Sequence, residues 1–212
     1  TIPLQARFKT RSNWSVTAYQ TGAAVNDGDE TTDEPAKLCF IRATDKRQDC
    51  TKITSGLLNS QGFVYNYQTV KDLRIVRLKS GVWAVEFHAE FYGGGSGMAE
   101  QTSLWTYDKK SDSFWSALTI SSTEIGGYKI IDNGPLAGYV VAASPEWQID
   151  KDEGHFAPHQ VQMAVYRLSG QFYLKVLSYL TTQKYGGEDE SDGDPLDREM
   201  PRITKLLKEI GQ

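Results

Sequence analysis

Hydrophobic and polar residues alternate in short runs along most of this chain. Val85, Phe87, Ala89 and Phe91 take turns with Glu86, His88 and Glu90. A period of two marks a strand with one buried face. Beyond a glycine cluster, "SLWTYDKKSDSFWSAL" reads as two further strands around a polar turn, a hairpin.

The same order occurs twice more. "ARFKTRSNWSVTAYQ" gives a short strand, a turn and an alternating strand, then the acidic loop "NDGDETTDEP", then the hairpin "KLCFIRATDKRQDCTKI". Near the C-terminus "YKIIDNGPLAGYVVAASPEW", the loop "QIDKDEGHFAPH" and "QMAVYRLSGQFYLKVL" repeat the sequence of events. Trp14, Trp83 and Tyr139 open the second strand of each unit, and Ile41, Tyr107 and Tyr166 stand just before each hairpin turn. These anchors advance by roughly 55–70 residues per unit, a spacing typical of repeat architectures. The pattern therefore predicts an all-β, antiparallel fold of three repeated four-stranded units, over about 6–70, 71–127 and 128–184. It predicts them arranged like β-propeller blades, or as a curved sheet or barrel. Propellers usually have about 4–8 blades, so three units leave those alternatives open. The strand–loop–strand order with acidic loops is similar to integrin-type propeller repeats. Their full signature is missing, and no function is carried over.

The end of the chain departs from this pattern. Residues 1–184 read as one β domain and residues 185–200 as an acidic, turn-rich linker. In 201–210, Ile203, Leu206, Leu207 and Ile210 fall at helical spacing, with Pro201 at the start and Gly211 at the end.

Glycines 93, 94, 95 and 97 invite comparison with a phosphate-binding loop. Such a loop needs a strand before it and a helix after it, so that helix N–H groups face the anion. Here an alternating, strand-like run follows. There is no Gly-Lys-Ser/Thr ending and no G-x-S-x-G elbow around Ser96. The cluster reads as a connection between strands, with Gly95 and Ser96 on a loop that faces a ligand if one binds there.

Charge alters the picture only slightly. A net charge of −4 argues against nucleic acid as the main partner. No apolar run approaches the roughly 20 residues of a membrane span. A protein or glycan partner is the expectation that remains.

Cys39 and Cys50 flank the first hairpin. A turn centred between Thr44 and Asp45 sets them opposite each other, within disulfide reach. A disulfide, together with a first residue Thr1 that implies a removed leader or tag, predicts an extracellular or periplasmic protein. No C-x-x-C spacing suggests redox catalysis or structural zinc.

The acidic loops are the candidates for metal. Asp150, Asp152 and Glu153, followed by Gly154, resemble a fragment of a Ca²⁺ loop without its distal bidentate glutamate. The pattern fits a Ca²⁺ site or a solvated loop. No other cofactor is suggested. His88 lies between Glu86 and Glu90, and His155 and His159 lie in the third loop, so a His/Glu metal cluster requires that loop to fold onto the second unit. Trp147 and Phe156 flank the third loop and, with His155 and His159, form the expected ligand-facing surface.

No catalytic residue is identified. The function expected is a non-catalytic exported binding module, meeting its partner through loops 22–36, 92–102 and 146–160. The alternatives are a metal-assisted hydrolase using His88, a glycan-acting enzyme with paired carboxylates, and a structural subunit of a larger assembly.

Overall fold

The computed structural model describes residues 1–20, 36–52, 54–58, 64–66, 69–78, 81–92, 98–123, 126–146, 157–186 and 193–211. It contains three four-stranded antiparallel sheets. The first holds β1 (Ile2–Pro3), β2 (Trp14–Tyr19), β3 (Lys37–Arg42) and β4 (Arg47–Lys52), with the short helix α1 (Gln5–Phe8) between β1 and β2. A two-stranded hairpin, β5 (Thr54–Leu58) and β6 (Val64–Asn66), follows. The second sheet holds β7 (Thr69–Arg77), β8 (Trp83–Tyr92), β9 (Met98–Asp108) and β10 (Ser113–Thr123). The third holds β11 (Gly127–Ile130), β12 (Val140–Pro145), β13 (His159–Ser169) and β14 (Phe172–Tyr185). Helices α2 (Pro195–Arg198) and α3 (Met200–Glu209) end the chain.

The repeat is present in the register. Ser15 pairs with Ile41, Ala84 with Thr106 and Val140 with Tyr166. The aromatic anchors thus lie within one residue of the same ladder position in each sheet. The turn before the fourth strand also recurs: Lys46, Asp112 and Gly170 all take positive φ there. Short hairpin turns need a left-handed residue at such a position to match the strand twist.

The expectation of a propeller, barrel or strongly curved sheet is overturned. Each sheet is an open meander with two edge strands, and none closes or curves strongly. The physical reason is that the three units bury their faces differently. The chain forms two compact units, Thr1–Ser121 and Ser122–Gln212. In the first, Leu4, Phe8, Trp14, Val16, Leu38 and Phe40 share one core with Val85, Phe87 and Ala89 of the second sheet. Phe114, partly buried, packs against this core, stacked on Phe40 at 4.5 Å and edge-on to Phe8 and Trp14. In the second unit, Val141, Ala143, Val161, Met163 and Val165 are covered instead by Leu196 of α2 and by Ile203 and Leu207 of α3. A ring of blades needs each sheet to present equivalent faces to its neighbours, and a sheet carrying its own helical cover does not.

Helix α2 lies inside the stretch read as a linker. Asp194 caps it, its carboxylate accepting from the Leu196 N–H at 2.8 Å, with Pro195 in the first turn. Helix α3 buries Ile203 and Leu207 as its spacing predicts, whereas Ile210, at the C-cap, is exposed.

Cys39 and Cys50 are directly paired across β3 and β4 and form a disulfide, with Cα atoms 4.1 Å apart. That spacing suits a non-hydrogen-bonded pair. Closing so short a loop is worth about 3 kcal/mol in the chain-entropy account. Replacing both cysteines by serine is expected to lower the melting midpoint by several degrees, at roughly 2–4 °C per kcal/mol. An unchanged midpoint, with or without reductant, would remove the bond from the stability of this unit.

Candidate functional site

The glycine cluster joins β8 to β9, whose flanking residues Tyr92 and Met98 pair directly. Strand leads to strand, so no helix N-terminus is available to face a phosphate. Gly95 and Ser96 themselves lie outside the described residues, as do Trp147, Asp150, Asp152, Glu153, His155 and Phe156. His159 is described, and it is not a surface loop residue. It opens β13 opposite Tyr185 and is fully enclosed. The strands also shorten two expected loops, since β9 starts at Met98 and β13 at His159.

His88 lies on the face of β8 opposite the core, with its Nε2 3.7 Å from Glu86 Oε1. Glu86 is buried, although alternation alone predicts a solvated position, and it accepts from the Arg74 guanidinium across the β7–β8 ladder. Glu90 pairs with Lys71. The glutamates on either side of His88 are therefore engaged by cations. Among the described residues no group of three or more His, Cys, Asp or Glu side chains is placed to hold a metal ion.

One buried carboxylate gathers four side-chain hydrogen bonds. Asp112 stands in the turn between β9 and β10 at φ 50° and is 7 % exposed. Its Oδ2 accepts from Ser12 Oγ at 2.6 Å and from Arg42 Nη1 at 3.4 Å. Its Oδ1 accepts from the Tyr107 hydroxyl at 2.5 Å and the Trp14 indole N–H at 3.2 Å. Tyr107 in turn accepts from the Arg11 N–H. Burial alone raises the Asp112 pKa, but the bonds from Ser12, Tyr107, Trp14 and Arg42 outweigh it and hold the carboxyl at about 2. Burial, and donation to that carboxylate, push the Tyr107 hydroxyl up. A carboxylate held so far into its ionised form is a poor general acid or base at neutral pH. It serves to tie the first sheet to the second.

Glu199 plays the matching part in the second unit. It is buried, and its two oxygens accept from the Tyr179 and Tyr185 hydroxyls, each at 2.8 Å. Arg202 lies over the Tyr179 ring at 4.4 Å. Burial first, and the bond to Glu199 second, raise the Tyr179 pKa. These contacts fix the start of α3 to β14. The sequence signal for both carboxylates was weak: an aspartate just before a strand, and a glutamate between two helical turns.

No family model matches this chain, and no curated protein or solved structure matches it.

Proposed function

We propose that this chain is a non-catalytic, exported binding module whose partner meets the connections between the second and third strands of its sheets. One observation carries the reading. In all three sheets the turn between third and fourth strands is tight, while the second-to-third connection runs long in two of them, over 20–36 and 146–158. Connections of more than about 12–15 residues in compact domains are usually functional or linker segments. The buried carboxylates agree with a scaffold, because Asp112 and Glu199 each receive hydrogen bonds from their own chain. The disulfide supports export, since such bonds persist in oxidising compartments. No described helix is long and apolar enough to cross a membrane.

Replacing residues 23–34 with a glycine–serine linker is expected to leave the melting midpoint unchanged within about 2 °C, a shift of at most about 1 kcal/mol. Cross-linking of the intact protein in its native surroundings would then recover a partner that the linker variant loses. A partner held equally by both forms would contradict the assignment to these loops.

A further inference from the structure

The connection from β1 to β2 has an inside and an outside. Leu4 and Phe8 are buried, while Arg7, Lys9 and Arg11 are exposed. Lys9 takes the left-handed conformation that ends α1 and turns the chain toward β2. Three contacts then fix where the cations lie. The Arg7 guanidinium is 5.5 Å from the centroid of the Trp83 ring. Phe8 packs edge-on against Phe114. Arg11 Nη1 donates to the Lys109 and Lys110 carbonyls at 3.3 and 3.5 Å. A second guanidinium, that of Arg77, is 5.7 Å from the same Trp83 centroid. Arg7, Lys9, Arg11, Arg77, Lys109 and Lys110 therefore gather at one end of the first unit.

Acidic groups at this end are already engaged. Asp45 pairs with Arg42 and accepts from the Arg47 N–H. Asp108 closes its own turn, accepting from the Lys110 and Ser111 N–H groups. Asp112 is buried among its four donors. Among the described residues none of the six cations has an ion pair. Two guanidiniums held on one ring without a carboxylate repel each other, and an anion between them relieves that repulsion. Excess positive charge so concentrated, on a chain of net charge −4, is a local feature and not a reflection of composition.

The geometry points to an anion-binding face at this end of the first unit, with Arg7 and Arg77 on Trp83 as its fixed element and a sulfated polysaccharide as its ligand. Several separated cations suit a chain that carries repeated strong-acid groups, and guanidinium is the better partner for planar bidentate recognition of oxyanions. Trp83 is half-buried and already carries both arginines, so it offers little ring face on which nucleic-acid bases could stack. Trp115, on β10 just past the turn, is 49 % exposed and held by its indole N–H to Ser111 Oγ. A fixed, open indole suits the apolar face of a sugar ring, and one such residue is too little for a membrane surface. None of these residues lies in the second-to-third strand loops, so the assignment does not rest on the proposed function.

The test uses the full chain and heparin as the sulfated probe. The wild type is expected to bind heparin at about 0.15 M salt. Arg7→Gln/Arg77→Gln should weaken binding by about tenfold or more, the scale of losing charge-assisted hydrogen bonds. Lys109→Ser/Lys110→Ser, which disturbs no packed side chain, should weaken it too. Lys205→Gln/Lys208→Gln on α3 removes the same charge elsewhere and should leave binding unchanged, with melting curves confirming that each variant is folded. Equal weakening by the α3 variant, or no retention of the wild type, would overturn the assignment. So would tighter binding to duplex DNA or to phosphatidylserine vesicles than to heparin.

Discussion

Asp112→Ala is expected to destabilise the first unit by about 3–5 kcal/mol, the cost of removing one partner from a buried, hydrogen-bonded charge. The substitution leaves the Trp14 indole N–H and the Ser12 hydroxyl without their acceptor, and it sets alanine at φ 50°. Left-handed backbone costs a non-glycine residue about 1–2 kcal/mol, and asparagine tolerates it better. Asp112→Asn keeps the shape and one oxygen, so it should cost about half as much. A fall in midpoint of roughly 10–15 °C for the alanine variant follows from typical unfolding entropies for a chain of this length. The pH dependence has a definite sign. The folded pKa lies below the ordinary carboxylate value of 3.8, at about 2. Its contribution is therefore complete above about pH 4 and is lost as pH falls toward 2, amounting to about 2 kcal/mol. Acid unfolding of the Asn variant should lack this component. If Asp112→Ala moved the midpoint by less than about 2 °C, the tie between the two sheets would have to lie elsewhere.

Leu207→Ala should cost the second unit about 2–5 kcal/mol, because it opens a cavity where α3 meets β12 and β13. Glu199→Gln removes less bulk but weakens two charge-assisted bonds, at about 1.5–3 kcal/mol. A double-mutant cycle with Tyr185→Phe separates the two contributions. Coupling between Glu199 and Tyr185 above about 0.5 kcal/mol is expected of residues in one network. Additive effects would mean that the Glu199–Tyr185 bond contributes nothing to holding α3.

These two carboxylates mark the boundary of what alternation reveals. The β-ladders were legible because a strand with a buried face leaves a period-two trace, and the Trp83 and Tyr107 anchors carried the repeat. The disulfide was legible because hairpin register follows from the turn. The way the sheets pack was not legible. Phe114 and Val141 are both inward strand residues, yet one meets another sheet and the other faces a helix-covered core. Nothing in either run of residues names its cover. Helix α2 could have been found from Asp194 followed by Pro195, a capping residue before a first-turn proline. The acidic character of the surrounding stretch hid it. The basic end of the first unit was hidden for a different reason: Arg7, Arg77, Lys109 and Lys110 are distant in sequence and meet only through Trp83, Phe114 and Arg11.

The three sheets are open meanders, and the buried carboxylates Asp112 and Glu199 serve the fold. Backbone amide exchange on the intact protein tests that openness most directly. Throughout the central strands β2, β3, β8, β9, β12 and β13, slow exchange is expected at nearly every amide. Along the edge strands β4, β7, β10, β11 and β14, protection should alternate, because every second N–H has no ladder partner. Uniform protection along those edges would contradict the account, since it would mean that the sheets are closed upon one another.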